Sequence, residues 1–320
     1  MGGYSCDEDR KMKRYRGLIP AAYTPCHPNG DLNLAPIAAL GRLLSAQQAP
    51  AVFICGSTGE SHSFTVDERK QVAAAWKQHA PAGLDVIVHV GHNCQRDAIT
   101  LASHAREVGA AAVSALAPGY FKPASPEDLI AFLRPIAAAA GNLPFYFYDI
   151  PGMTGVSFPA DRLLRLAVDA IPNLAGLKYT SSDLMRLQSC LALNDRRHEI
   201  LFGSDEILLA TLALGIEGAV GSTYNYATPV YRRVIDAFER GDLESARREQ
   251  LRTVRLVEVL LEHGVLRAGK AIMSLIGIDC GPVRSPLKPV DAAERREIHR
   301  KLSALGDIFS APLQQPAKDA

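Results

Sequence analysis

Short apolar runs alternate with longer stretches whose apolar residues recur at helical spacing, and the alternation repeats eight times along the chain. The runs cover residues 17–24, 51–56, 85–90, 112–117, 144–150, 174–180, 199–203 and 218–222. Between them, residues 66–79 and 96–108 carry helical patterns. In the second, Ala98, Leu101, Ala102, Ala105 and Val108 fall at helical spacing. Parallel neighbours need a long return connection, so strand, helix and next strand at this spacing build a parallel sheet. Eight such units predict a closed (β/α)8 TIM barrel.

Helix starts carry the expected signals: Thr65 precedes Val66-Asp67-Glu68, and Ser125 precedes Pro126-Glu127-Asp128. After the eighth strand and a helix over 229–240, patterns over 243–262, 268–276 and 292–305 predict a helical C-terminal extension. The expected division is a polar N-terminal extension over 1–16, the barrel over 17–241, the helical extension packed on it over 242–308, and a tail over 309–320. Residues 1–16 mix acids and bases without an apolar core, which does not fit a secretory signal.

Composition narrows the function classes. Of 320 residues, 48% are hydrophobic and 22% charged, with a formal net charge of +1 and no long block of either sign. That leaves no electrostatic case for nucleic acid or an anionic membrane as partner. No apolar stretch approaches the roughly 20 residues of a membrane span. Cys6, Cys26, Cys55, Cys94, Cys190 and Cys280 lie far apart with no zinc-ligand spacing, which predicts reduced thiols, a cytoplasmic protein and no metal site.

Chemistry in such a barrel sits at the C-terminal ends of the strands, and several segments there carry candidates. Lys178 interrupts an otherwise uncharged run, Leu174 to Thr180. Its amine either reaches solvent at the strand end or, if unprotonated, serves as a nucleophile that forms a Schiff base with a carbonyl. Alternation puts Gly176, Lys178 and Thr180 on one face, and Tyr146 and Tyr148 on one face of the preceding strand. Tyr148 and Lys178 are therefore expected side by side, giving imine chemistry a route for protons. The aromatic strand also reads as core. Gly56-Ser57-Thr58-Gly59-Glu60 is either a tight turn or a carboxylate cradle, and it lacks the ending of a phosphate loop. Asp205 and Glu206, after Gly203-Ser204, either cap the following helix or accept hydrogen bonds from a hydroxyl-rich substrate. His62, His89 and His92 form no assignable serine–histidine–acid arrangement and read as structural.

Taken together, these segments resemble the dihydrodipicolinate synthase / N-acetylneuraminate lyase family, class I aldolases that bind pyruvate as an imine. The resemblance runs from about Gly17 to Leu305. It is carried by Gly56–Glu60, by Tyr148-x-Ile150-Pro151-x-x-Thr154-Gly155, by Gly176-Leu177-Lys178, and by the run from Gly218 to Asn225. It implies Lys178 as the Schiff-base lysine, Tyr148 as proton relay, and Ser57 and Thr58 as the pyruvate carboxylate site. Tyr120 matches a tyrosine that reaches a neighbouring subunit's active site, which implies a homotetramer built as a pair of dimers. No cofactor is implied beyond the covalent imine.

Within the family the pattern is most similar to the N-acetylneuraminate lyase branch. Met153 stands where the synthases keep a dicarboxylate-binding arginine, while Thr180, Gly203, Asp205, Glu206 and Ser222 match lyase positions near the sugar. The implied reaction is reversible cleavage of N-acetylneuraminate to pyruvate and N-acetylmannosamine. A 2-keto-3-deoxy-sugar-acid aldolase is the alternative, with a dihydrodipicolinate synthase or a non-catalytic binding protein behind it. Three positions depart from the pattern: Phe64, Gly119, and Asp149. Asp149 is expected to point away from Tyr148 and to bear on packing more than on chemistry.

Overall fold

A computed structural model of the chain describes residues 13–315. Most of the expected N-terminal extension, with Cys6, and the last five residues of the expected tail lie outside the described residues. Eight strands appear in chain order: β1 (Gly17–Pro20), β2 (Ala51–Ile54), β3 (Asp85–His89), β4 (Ala112–Leu116), β5 (Phe145–Asp149), β6 (Leu174–Tyr179), β7 (Glu199–Phe202) and β8 (Gly218–Gly221). Every pairing is parallel; β2 to β8 follow chain order, and β8 pairs with β1. The ring closes through the bridge Ala21–Phe53, where the Ala22 N–H donates to the Phe53 carbonyl at 2.9 Å. With helices between the strands, this is the expected TIM barrel followed by C-terminal helices.

Alternation along each strand sorts side chains into two layers. Ile19, Phe53, Ile87, Tyr146, Tyr148 and Leu201 fill the barrel, while Leu18, Val52, Val86, Val113, Phe147 and Phe202 pack outward under the helices. β6 breaks the period. Phe145 pairs with Leu174 but Tyr146 pairs with Gly176, so Ala175 is an extra residue in a bulge. The bulge leaves the C-terminal half of β6 in register, with Lys178 opposite Tyr148 and Tyr179 opposite Asp149.

Strand β1 is shorter than its apolar run. Past Ala22 the chain leaves the ladder, and Tyr23 is buried against Gly269 of the helix Val265–Leu275. That helix, with Leu243–His263 and Ala292–Ser303, completes the C-terminal part. It is tied to the barrel by ion pairs: Arg233 to Glu249 at 2.9 Å and Lys270 to Glu60 at 2.7 Å. Arg284 adds bonds to the Glu68 carboxylate (Nη1, 2.9 Å) and the Gly30 carbonyl (2.7 Å).

Candidate active site

Lys178 is 4% exposed and has no carboxylate partner among the described residues. Its Nζ lies 4.0 Å from the centre of the Phe53 ring and 4.1 Å from that of Tyr148. Such π faces attract an ammonium by about 2 kcal/mol when desolvated, yet they form no bond that fixes it in one place. The Tyr148 hydroxyl lies 3.3 Å from Ser57 Oγ, so a phenol next to the amine is linked to a second hydroxyl. Edge-on contacts from Phe53 and His89, each with ring centres 5.8 Å away, hold the Tyr148 ring. His89 is fully buried and donates from Nδ1 to the Cys55 carbonyl at 2.9 Å; burial pushes its basicity well below the ordinary range.

Ser57 and Thr58 are half-buried in a tight turn flanked by two left-handed residues, Cys55 and Glu60, at φ 56° and 54°. Thr24 donates from its hydroxyl to the Gly59 carbonyl at 2.8 Å. At the other end of the turn, Glu60 pairs with Lys270 at 2.7 Å and accepts from the Arg284 N–H at 2.9 Å. The loop is therefore pinned from both the barrel and the C-terminal helix.

On the β6–β8 side, the Thr180 hydroxyl is buried without a hydrogen-bond partner among the described residues. A Cβ at Gly203 would sit 2.0 Å from that oxygen, so Gly203 makes the room it occupies. Asp205 Oδ2 accepts from the Thr223 N–H at 3.0 Å and the Thr223 hydroxyl at 2.6 Å. Its Oδ1 would lie 1.8 Å from a Cβ at Gly221. Burial raises the Asp205 carboxyl to about 6, against the opposing Thr223 hydrogen bonds. One oxygen of Asp205 is thus already committed to Thr223. Glu206 and Ser222 are half-buried, and their side chains make no hydrogen bond within the described residues.

Tyr120 stands apart. It is 79% exposed in the loop after β4 and, among the described residues, stacks edge-on only with the exposed Phe121, ring centres 4.9 Å apart. Within one chain it does not join Tyr148 and Lys178. Sequence reasoning missed Phe53, which is indistinguishable from core until the barrel closes, and Thr223, whose grip on Asp205 needs the β7–β8 neighbourhood. Behind β5, burial raises the Asp149 carboxyl to about 7.

A strand-end lysine and tyrosine in one barrel mouth, flanked by hydroxyl-rich loops, define an imine-forming site on a TIM barrel. Residues 14–305 match the dihydrodipicolinate synthetase family, and the chain belongs to it; it is a carbon–carbon lyase. It is 40% identical to N-acetylneuraminate lyase of Mus musculus over 96% of this chain and 97% of the relative. It is 39% identical to that of Homo sapiens over 92% and 93%. Among solved structures, N-acetylneuraminate lyase of Proteus mirabilis superposes with a TM-score of 0.90 at 36% identity, covering 92% of this chain and 99% of the other. The native lyase (sialic acid aldolase) of Aliivibrio salmonicida also reaches 0.90, at 38% identity over 92% and 98%. Among the described residues, no helix is long and apolar enough to cross a membrane.

Proposed function

We propose that this chain reversibly cleaves N-acetylneuraminate to pyruvate and N-acetylmannosamine, with Lys178 forming the imine. The observation that carries the reading is a buried lysine with no ion-pair partner among the described residues, in register with Tyr148 and facing the same interior. The unprotonated amine of Lys178 adds to the C2 ketone of the open-chain sugar acid. Tyr148, bonded to Ser57, moves the protons that convert the carbinolamine to an iminium and release water. The iminium withdraws the electron pair of the C3–C4 bond as the C4 hydroxyl gives up its proton and becomes the aldehyde. The pyruvate enamine left behind is protonated at C3 and hydrolysed from Lys178. The electron sink is the iminium itself, so the scheme uses no metal or further cofactor.

Ser57 and Thr58 hold the carboxylate in this reading. Thr180, Glu206, Ser222 and the uncommitted oxygen of Asp205 meet the sugar's hydroxyl groups, with Gly203 leaving them space. The exposed Tyr120–Phe121 pair supports a homotetramer in which Tyr120 completes a neighbouring subunit's site. Free thiols at Cys26, Cys55, Cys94, Cys190 and Cys280 support a cytoplasmic location. The test is to supply N-acetylneuraminate and assay both products. Equimolar pyruvate and N-acetylmannosamine are expected, and absence of pyruvate would end the reading.

A further inference from the structure

Behind the catalytic strand pair lies a cavity of about 150 Å³, lined by Asp149, Ser157, Tyr179, Ser181, Asp183 and Arg186 among others. Asp149 is 6% exposed, and its carboxyl makes no hydrogen bond or ion pair within the described residues. The cation on the same wall is Arg186, in the first turn of the helix Leu184–Leu191, and it is held at 2.8 Å by Asp161. Asp183 accepts the Arg186 N–H at 2.9 Å. The remaining titratable neighbours, Tyr179 and Cys190, are each pushed up to about 12 by burial and keep their protons near neutrality. Burial raises the Asp149 carboxyl to about 7.

The main chain connects this carboxyl to the chemistry. Asp149 follows Tyr148 directly, pairs in register with Tyr179 beside Lys178, and its carbonyl accepts the Thr180 N–H at 2.8 Å. We propose that Asp149 is a positioning residue for the Tyr148–Lys178 pair, and that Arg186 is the partner its carboxylate recruits on losing a proton. With Asp149 neutral, Arg186 stays with Asp161, as in the structure. With Asp149 ionised, a carboxylate this buried and without a hydrogen-bond partner among the described residues is costly, and the guanidinium has two carboxylates to choose between. Its movement toward β5 draws the first turn of its helix with it and reseats the strand ends that carry Tyr148 and Lys178.

The inference rests on Lys178 forming an imine with pyruvate, so the test reads that step alone, without a sugar. The rate of cyanoborohydride trapping of pyruvate is measured from about pH 5.5 to 8.5 for the wild type, Asp149→Asn and Arg186→Gln, with the adduct mapped to its peptide. Asn mimics the neutral acid, so the wild-type to Asp149→Asn rate ratio is expected near one at the acid end. It should depart from one by about threefold or more on passing pH 7. Arg186→Gln removes the recruited cation and is expected to move that inflection to higher pH. A flat ratio with the adduct on Lys178, or an inflection unmoved in Arg186→Gln, overturns the inference and leaves the aldolase reading standing. No adduct in any of the three proteins overturns both.

Discussion

Two lysines of this chain are almost equally buried, Lys178 at 4% and Lys270 at 3%, yet their surroundings are opposite. Lys270 is satisfied: Nζ lies 2.7 Å from Glu60 and 2.7 Å from the Pro282 carbonyl, and the pair joins a barrel loop to a C-terminal helix. Lys178 has no ion pair or side-chain hydrogen bond among the described residues and lies over the faces of Phe53 and Tyr148. Burial is therefore not what marks a lysine as chemical, since a buried ammonium with a carboxylate and a carbonyl is fully accounted for as structure. The mark is burial without a partner, beside a group able to move protons.

Substituting both lysines by methionine sharpens the contrast most. Lys178→Met should lose essentially all turnover while its melting temperature holds or rises, because an apolar side chain replaces an unpaired amine among aromatic rings. Tyr148→Phe comes next: loss of the phenol should lower kcat by about 10²–10⁴-fold with the fold intact by circular dichroism. Lys270→Met inverts the first result. It strands Glu60 and should cost about 3–5 kcal/mol in denaturant unfolding, while the protein still forms a pyruvate adduct. A Lys270→Met protein as stable as wild type would break the distinction.

The smallest expected effect concerns Asp149 and depends on pH. Its carboxyl titrates at about 7 in the folded chain against an ordinary 3.8. The fold favours the neutral acid, so the associated stability is complete below 3.8 and is lost as the pH climbs through about 7. Asp149→Asn keeps the neutral state. Its advantage over wild type should grow with pH to a plateau above 7 of at most about 4 kcal/mol, measured by urea unfolding at a series of pH values. A difference independent of pH would contradict the assigned burial effect.

Much of this contrast was readable before the fold was known. Apolar runs separated by helical periods located all eight strands, and parity placed Tyr148 beside Lys178 because consecutive strands are neighbours in a barrel. The bulge at Ala175 left no trace in the pattern, since both Leu174 and Ala175 are apolar, and it spared the prediction by lying before Lys178 rather than after it. Lys270 could not be recognised, because its partner Glu60 comes from a loop distant in sequence and meets it only after the C-terminal helices dock. Parity turned Asp149 away from the interior correctly, but direction says nothing about solvation. What lay behind β5 was a cavity walled by the strand ends Asp149 and Tyr179 and by the loops that enter the helices Ala160–Ala170 and Leu184–Leu191, which meet only in the folded chain.

The most direct test is borohydride reduction in the presence of pyruvate, followed by peptide mass mapping of wild type and Lys178→Met. The expected result is a single reduced pyruvyl adduct on the peptide containing Lys178, absent from the variant. An adduct on Lys270 or another lysine, or none at all, would contradict the assignment of Lys178 as the imine-forming residue.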